Sequence, residues 1–534
     1  MNPASAPPTR EWWTPALVLV LFLMLGFVGI LNHELWRDEA EIWIIARDSP
    51  TLSELLVNMG TEGHPALWYF LNFLLTRATT DPLAMQLLNL ALGAGAALLF
   101  FLYSPFTTAQ RLLFCFGYYL LYEFTVISRS YALALLLSFA FCTLFVRRRR
   151  LDLAAASILF LLANTTLYGT IVAAQVVILV LLEAIRGVGL RKWLRDRRAI
   201  LGVAIVLLGV ALGFGHTWMQ ARAIGPAHAG AHDPQWDLTW LADSLATVWY
   251  GAVPLPDPTV FHSWNSNLLD AVPAPWGAIA GGLLGVASLV FAVRGLRSRP
   301  AMAVVFALGA ATMLSITFFV WYGSVRHHGQ VFLWFLVCLW LWRGPREATF
   351  GAGSAIRGHL RPLLTTLLAA QALAGAYAYA MDLAHPFSNA KAAGTHLRRP
   401  EFAGAPLVGS IDYAVLPIAA FVEREFFYPE SGSFGTFLDW GPSRRLVPLA
   451  VVLDDAVELL RAEGRDVVLV LSYQPAALEP GSVRSLGEGA RLRCFARFSG
   501  ALVADENYYM CQVFAVDGSE ARGDVDSPSS RNDN

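Results

Sequence analysis

Twelve apolar segments, each long enough or nearly long enough to cross the hydrocarbon core of a bilayer, recur along the first 381 residues. A helix needs about 20 mostly apolar residues to span about 30 Å of hydrocarbon. The segments lie at about 14–31, 65–79, 82–104, 111–127, 130–146, 151–164, 166–186, 200–216, 274–293, 301–321, 330–343 and 362–381. Since 56% of the residues are hydrophobic and 15% charged, much of the chain requires a bilayer as solvent. We therefore expect a polytopic α-helical membrane protein.

Arginine and lysine clusters between these segments set the expected orientation, because cytoplasmic loops carry an excess of both residues. The loops 32–64 and 217–273 lack such clusters and are expected outside. Four apolar segments separate loop 32–64 from the cluster at 147–150, whereas passing from outside to inside needs an odd number. One segment is therefore a half-helix, or two form one broken span, which leaves about eleven crossings. The net charge of -1 gives no basic surplus for nucleic acid.

The first apolar segment follows Arg10 and lacks a small-residue cleavage motif, so we expect a retained signal anchor in the cell (inner or plasma) membrane. Residues 1–381 form the expected membrane domain and residues 382–516 a small extracytoplasmic α/β domain. The tail 517–534 is almost without apolar residues and is expected to be disordered. In the α/β domain the predicted elements are strands at 407–411, 446–453 and 467–471 and a helix at 455–463.

The five cysteines fall into two groups. Cys115, Cys142 and Cys338 lie in apolar runs, where buried free thiols are expected. Cys494 and Cys511 flank a predicted hairpin, and a disulfide between them is expected if this region is extracytoplasmic. The sequence leaves the bridged and the free state open.

The segment 34–43 sets adjacent carboxylates just beyond the first apolar segment. Asp38 and Glu39 are expected at the interface between water and bilayer, where a carboxylate can act as a general base. The alternative is that Asp38 only caps a helix, because Asp38 followed by Glu41 resembles a capping box. The two roles are compatible, since a capping carboxylate is fixed in position and open to solvent on one side.

Two further stretches place polar residues at the ends of apolar segments. His64 precedes Pro65, which can occupy a first helical turn and leave the imidazole at the mouth of the membrane. Arg129 and Tyr131 lie between two apolar segments, where a cation is costly unless it meets an anion. The alternatives are a polar end group for His64, and snorkelling or pairing with Glu123 for Arg129.

Arg326, His327 and His328 form a predicted basic turn between two apolar segments on the expected outer side. Three potential cations facing outward oppose the usual charge bias, which indicates an anionic partner such as a lipid phosphate. A metal site is the alternative, and it is disfavoured because consecutive residues seldom point the same way.

The loop 217–273 mixes tryptophans with aspartates and histidines, which suits stacking on sugar rings and hydrogen bonding to their hydroxyls. Interfacial tryptophans also anchor membrane proteins, and this alternative holds for each of them. The tryptophans are Trp218, Trp236, Trp240, Trp249 and Trp264.

Three of these stretches resemble motifs of membrane glycosyltransferases of the C-type fold, the group related to protein O-mannosyltransferases (glycosyltransferase family 39) and to bacterial lipid-A and core sugar transferases. Trp36-Arg-Asp-Glu39 resembles the Asp-Glu pair of their first external loop. His64-Pro-Ala-Leu-Trp-Tyr69 resembles their Pro-Pro-Leu-Tyr element, with Ala66 where a second proline is usual. Ser128-Arg-Ser-Tyr131 resembles their Ser/Arg-Tyr element. The resemblance covers about residues 10–345.

This resemblance implies an inverting transfer of a sugar from polyprenyl phosphate to an acceptor hydroxyl on a glycan, lipid or protein. It implies Asp38 as general base, with Glu39 orienting the acceptor or standing in as the base. Fixed cations, namely Arg129, Arg326 and His327, would neutralise the departing phosphate. The scheme requires no cofactor, and a divalent metal held by Asp38 or Glu39 is left open. The implied substrate-binding residues are His64, Arg129, Tyr131, Arg326, His327 and His328.

A transporter and a non-catalytic membrane scaffold of an envelope polysaccharide system are the alternative functions. Transporters usually place ionisable groups near the middle of the membrane. Here the candidate groups are expected on one outer surface, and Glu123 is the exception within an apolar segment. The enzyme, unlike the scaffold, requires Asp38 and Arg129 to converge within a pocket.

Overall fold

The computed structural model describes residues 13–148, 150–187, 189–224, 237–342, 355–474, 481, 483–487 and 489–516. The chain divides into two compact units. The helical unit comprises residues 1–33, 45–385 and 440–442, and the α/β unit comprises residues 34–44, 386–439 and 443–534. Residues 34–44, which the sequence assigns to the membrane domain, are thus part of the α/β unit. The predicted tail 517–534 lies outside the described residues.

Helices form nearly all of the regular structure of the helical unit. In chain order they are α1 (Trp13–Asn32), α2 (Arg37–Asp48), α3 (Leu52–Asn58), α4 (Leu67–Thr76), α5 (Leu83–Tyr103), α6 (Thr108–Cys115), α7 (Tyr131–Arg148), α8 (Leu153–Ala163), α9 (Leu167–Arg186), α10 (Leu190–Trp193), α11 (Arg197–Ala223), α12 (Leu238–Ala252), α13 (Trp276–Leu296), α14 (Pro300–Phe319), α15 (Val325–Trp342) and α16 (Ala355–Ala384). The division between the units falls within α2, after Ile44.

Within the described residues, eight helices are long and apolar enough to cross a membrane, namely α1, α5, α7, α9, α11, α13, α14 and α16. They coincide with eight of the twelve predicted segments. Two other predicted segments are shorter helices, because α4 has 10 residues and α8 has 11. At 1.5 Å per residue each is about 15 Å long, half the thickness of the hydrocarbon core. The predicted half-helix or broken span between residues 65 and 146 and the total of eleven crossings stay predictions.

The predicted segment 111–127 is not one helix. Helix α6 ends at Cys115, Gly117 is extended, and a π-helix runs from Tyr118 to Val126. Hydrophobicity along the segment does not show where the backbone ladder is interrupted, so this break could not be located from sequence. All nine residues of the π-helix are buried. Helices of this kind are rare in proteins, and many of those that occur lie at functional sites.

Helix α15 is enclosed by other helices of the helical unit. Every residue in it except Gln330 is buried, and it packs against α7, α12 and α14. It begins five residues before the predicted segment 330–343. The basic residues 326–328 therefore lie in its first turn and are buried, whereas the sequence predicts a turn between two helices.

Helix α12 lies inside the region predicted as the external loop 217–273, and glycines bring it close to its neighbours. A Cβ on Gly251 would lie 2.2 Å from the carbonyl oxygen of His328, and a Cβ on Gly285 of α13 would lie 2.0 Å from that of Leu245. Small residues allow helix backbones to approach closely in membrane proteins. Helix α12 thus supports the first turn of α15 directly.

The described part of the α/β unit contains a seven-stranded sheet with the order β3-β2-β1-β4-β7-β6-β5. Strand β1 is parallel to β2 and β4, and the other neighbours are antiparallel. The strands are β1 (Leu407–Ser410), β2 (Phe426–Tyr428), β3 (Ser433–Gly435), β4 (Val467–Leu471), β5 (Val483–Gly487), β6 (Ala490–Phe498) and β7 (Tyr508–Ala515). The helices are α17 (Ala390–Leu397), α18 (Asp412–Val415), α19 (Ala419–Val422) and α20 (Leu449–Glu463).

Strands β1 and β4 confirm the predicted strands at 407–411 and 467–471. The predicted strand at 446–453 is wrong, because α20 begins at Leu449. Val452, Ala456 and Leu460 recur every four residues and are buried against the sheet. This helical period determines the structure, although the preceding apolar run is rich in β-branched residues.

The cysteines behave in the two ways considered from sequence. Cys494 on β6 faces Cys511 on β7, and the two form a disulfide. Cys115, Cys142 and Cys338 are buried and free. The disulfide therefore joins two adjacent strands of the α/β unit.

Candidate functional site

The eight residues predicted for the site are divided between the two units. Asp38 and Glu39 belong to the α/β unit. The remaining six belong to the helical unit.

In the α/β unit, the first turn of α2 carries both predicted carboxylates. The carboxylate of Glu39 accepts a hydrogen bond from the backbone N–H of Trp36 at 3.4 Å, and Glu39 is fully buried. Glu39 thus contributes to the capping of this helix. Asp38 is half-buried in the same turn. The positive end of the helix dipole favours an anion at this position.

In the helical unit, four basic residues converge around the start of α15. Nη2 of Arg129 lies 3.2 Å from Nε2 of His64. Arg326, Arg129 and His64 all act electrostatically on the imidazole of His327. Arg129, Arg326 and His327 are buried, whereas His64 is half-buried. We call His64, Arg129, Arg326 and His327 the basic cluster.

Hydrogen bonds fix the tautomer of His327. The backbone N–H of Ser324 lies 3.0 Å from Nδ1, and the hydroxyl of Tyr131 lies 2.9 Å from Nε2. An amide N–H can only donate, so Nδ1 accepts and the ring is neutral with its proton on Nε2. His327 then donates to Tyr131, whose own hydroxyl hydrogen is directed to another acceptor. In this state His327 is not the expected cation. It orients the hydroxyl of Tyr131 instead.

His328 faces a different part of the helical unit. Its Nε2 donates to the carbonyl oxygen of Tyr322 at 3.0 Å, and its ring packs against Tyr322 and Tyr250. This arrangement agrees with the expectation that consecutive residues point in different directions. His328 supports the contact between α12 and α15, and it also interacts electrostatically with His327 and Arg326 of the basic cluster.

Glu123 on the π-helix is a buried carboxylate beside Arg326. Its Oε2 accepts hydrogen bonds from the hydroxyl of Tyr118 at 2.8 Å and from Nε1 of Trp264 at 3.2 Å. The cation that acts most strongly on it is Arg326, not Arg129, which the sequence offers as an alternative partner. Arg326 also lies 5.8 Å from the ring centroid of Trp264. Glu123, Trp264 and Arg326 thus form one polar contact at the edge of the basic cluster.

The tryptophans of the predicted loop have different surroundings. Trp264 contacts Glu123 and Arg326, whereas Trp249 lines an apolar cavity. Trp218 is half-exposed on α11, and Trp236 lies outside the described residues. Among these, Trp264 is the tryptophan closest to the site chemistry.

An apolar cavity of about 260 Å³ lies beside α15. Val331, Phe332 and Phe335 of α15 line it, together with apolar residues of α12, α13, α14 and α16. Val331 follows Arg326 by five residues, which corresponds to about 7.5 Å along the helix axis. The three cavity residues of α15 therefore lie about 1.4 to 2.5 turns after Arg326, on the opposite face of the helix.

Two aromatic residues that enclose His327 were not identified from the sequence. Its ring centroid lies 4.3 Å from that of Trp321 and 5.9 Å from that of Tyr168. Trp321 stands five residues before Arg326, and this short spacing is the signal that could have found it. Tyr168 lies near the start of an apolar helix, where tyrosine is common as an interfacial anchor, so it carried no distinct signal.

Among the described residues, no group of three or more His, Cys, Asp or Glu side chains is arranged to hold a metal ion. No protein-family model matches the chain, and no curated protein has significant sequence similarity to it. The candidate site therefore rests on its own geometry.

Proposed function

We propose that the chain is a membrane glycosyltransferase that transfers a sugar from a polyprenyl-phosphate donor to an extracytoplasmic acceptor with inversion. The observation that carries this proposal is the basic cluster, whose guanidinium groups are buried beside the first turn of α15. A helix N-terminus with guanidinium groups favours a phosphate.

In the proposed reaction, the acceptor oxygen attacks the anomeric carbon and the bond from that carbon to the phosphate oxygen breaks. Asp38 takes the proton from the acceptor hydroxyl. Arg129 and Arg326 stabilise the negative charge on the departing polyprenyl phosphate, and Tyr131, oriented by His327, donates a hydrogen bond to it. His64 orients Arg129.

The proposed topology has about eleven crossings in a C-type fold, within the cell membrane, and the α/β unit on the outer side. The disulfide between Cys494 and Cys511 supports this side, because disulfides persist in oxidising compartments. The partners in this proposal are the lipid-linked donor, the bilayer and an acceptor glycan, lipid or protein.

Transfer of labelled sugar tests the proposal. Purified protein in lipid is given a panel of polyprenyl-phosphate sugars, and the wild type is compared with Asp38→Asn and with Glu39→Gln. Asparagine keeps the size of the aspartate and removes its basicity. Transfer by the wild type that is lost in Asp38→Asn supports the proposal and identifies the donor sugar.

The other outcomes discriminate among the alternatives. Equal turnover by Asp38→Asn removes Asp38 from the chemistry and turns attention to Glu39. No transfer by any protein across the panel contradicts the glycosyltransferase and favours a transporter or a scaffold. Uptake of polyprenyl-phosphate sugar into vesicles that depends on Glu123 would then select the transporter, because Glu123 is a buried carboxylate.

A further inference from the structure

Arg37, the first residue of α2, is held at several points within the α/β unit. Its backbone N–H donates to Oε1 of Glu506 at 3.0 Å, and its guanidinium forms an ion pair with Asp505. The guanidinium also lies 4.9 Å from the ring centroid of Tyr413. Burial opposes the positive charge, but Asp505, Glu506 and Asp38 together hold the pKa of Arg37 above its ordinary value. The residue is therefore fixed through both its backbone and its side chain.

The residues before Asp38 are fixed in the same unit. Oε2 of Glu34 accepts a hydrogen bond from the backbone N–H of Phe387 at 2.9 Å. The ring of Trp36 meets that of Phe387 edge-on, with centroids 6.5 Å apart. Together with the cap made by Glu39, these contacts fix the chain on both sides of Asp38.

The partners of Arg37 are themselves anchored to the sheet. Glu506 is fully buried, and its backbone carbonyl accepts a hydrogen bond from the N–H of Asn389 at 3.3 Å. Asp505 and Glu506 directly precede β7, which pairs with both β4 and β6. The position of Arg37 is thus set by the central strands of the α/β unit.

We propose that Arg37 is a positioning residue through which Asp505, Glu506 and Tyr413 of the C-terminal region hold the carboxylate of Asp38 in its working position. This inference rests on the proposed function. A catalytic carboxylate must be held to within about 0.5 Å of its productive geometry. The C-terminal part of the α/β unit, which begins about 350 positions after Asp38, supplies that accuracy, and so it is a working part of the enzyme.

Kinetics of Arg37→Met and Asp505→Asn test the inference. Both variants release Asp38, so kcat falls on the order of tenfold to a hundredfold while KM for the donor stays within about twofold. Arg37→Lys keeps the charge and recovers part of kcat. Arg465→Met is the matched control, because Arg465 forms an exposed ion pair with Glu463 in the same unit, and it keeps the wild-type kcat.

The pH profile separates positioning from general support of the fold. In the described part of the chain, the charged and titratable groups that face Arg37 are Asp38, Asp505, Glu506, Tyr413 and Tyr508. Removing the cation beside Asp38 moves the acid limb of the kcat/KM profile to higher pH in Arg37→Met. A residue that only stabilised the fold would lower activity at every pH without moving this limb, and that result overturns the inference.

Hydrogen exchange gives a measurement independent of activity. In Arg37→Met and Asp505→Asn, the backbone amides of 34–44 exchange faster, while those of β1 and β4 keep their protection. Unchanged exchange in 34–44 overturns the inference even if transfer is lost. Absence of transfer in the wild type contradicts the proposed function, whereas wild-type kcat in both variants contradicts only the positioning role.

Discussion

Nε2 of His327 lies 2.9 Å from the hydroxyl of Tyr131, at the point where α7 begins and α15 completes its first turn. The other ring nitrogen, Nδ1, accepts a hydrogen bond from the backbone N–H of Ser324. Nε2 therefore carries the proton and donates a hydrogen bond to the hydroxyl of Tyr131. Tyr131 is therefore an oriented hydroxyl donor in the midst of the basic cluster. Its ring also stacks on Phe124 with centroids 4.9 Å apart, which holds it without the hydroxyl.

Tyr131→Phe keeps this stacking and removes the hydroxyl, both as a donor and as the acceptor of the bond from Nε2 of His327. We expect normal folding and transfer slower by roughly tenfold, the effect of one neutral hydrogen bond. Initial rates with the donor sugar measure it. Tyr379→Phe is the control, because Tyr379 donates to the carbonyl oxygen of Leu25 and is not part of the basic cluster. Equal rates for Tyr131→Phe and the wild type would exclude Tyr131 as a donor to the phosphate.

Replacing Arg129 tests charge against geometry in the basic cluster. Arg129→Gln removes the cation and should raise KM for the polyprenyl-phosphate donor strongly, because the phosphate loses one of two guanidinium partners. Arg129→Lys keeps a charge without the planar fork and should have an intermediate KM. Arg222→Gln, which changes a cation packed on Trp218 of α11, should leave KM unchanged. The same KM in all four proteins would show that Arg129 does not bind the donor.

Glu430 makes the stability of the α/β unit depend on pH. Burial, followed by the negative charge of Asp412, raises the pKa of Glu430 to about 7 from 4.5, although Ser410 and Arg444 favour its ionised form. Between pH 4.5 and pH 7, Glu430 binds a proton in the folded chain more readily than in the unfolded chain. The contribution of Glu430 to stability is therefore greatest below about pH 4.5 and is lost as the pH rises through about 7.

Glu430→Gln removes this titration. We expect the midpoint of thermal unfolding to decrease less between pH 5 and pH 8 in the variant than in the wild type. A slope remains, because burial also raises the pKa of Glu506, to about 8. Glu463→Gln, an exposed change on α20, serves as control and should follow the wild type. Parallel slopes for Glu430→Gln and wild type would contradict the assignment.

Gly251 sets the contact of α12 with the first turn of α15. Gly251→Ala places a Cβ where it would meet the carbonyl oxygen of His328 at 2.2 Å, so the helices must separate. We expect a loss of about 1–3 kcal/mol in the free energy of unfolding and a lower transfer rate. Gly215→Ala on α11 is the control, since nothing lies within 4 Å of its added Cβ. Its stability should equal or exceed that of the wild type.

Thiol counting tests the disulfide. With five cysteines in the chain and Cys494 bonded to Cys511, the denatured protein should react with a thiol reagent at three positions, and at five after reduction. Replacing both Cys494 and Cys511 by serine should lower the free energy of unfolding of the α/β unit by about 3 kcal/mol, the value for a loop of this size. Five reactive thiols without reduction would contradict the bond.

The sequence predicted elements where hydrophobicity alone determines structure. Eight membrane segments, β1 and β4 follow directly from apolar runs of the right length. Prediction failed where the same apolar composition suits two structures. In α20 the helical period determined the structure despite a run of β-branched residues. The π-helix Tyr118–Val126 could not be distinguished from an α-helix.

Candidate site residues could be proposed from the sequence where their neighbours in sequence carried the signal. Asp38, Arg129 and Arg326 stand out as charges at the ends of apolar segments. Arg37 did not, because its partners Asp505 and Glu506 lie more than 460 positions away and no local pattern links them. The hydrogen bond from the backbone N–H of Trp36 to Glu39 could not be predicted either, because it requires knowing that α2 begins directly after Trp36.

The hydrogen bond between Arg37 and Glu506 joins residues 469 positions apart, so it can form only after nearly the whole chain has been synthesised. At the usual speed of translation, Glu506 is made roughly 25 to 90 s after Arg37. Residues 34–44 must wait for that interval as an unfinished part of a domain whose sheet does not yet exist. A premature stop near residue 500 would therefore damage the beginning of the protein as much as its end.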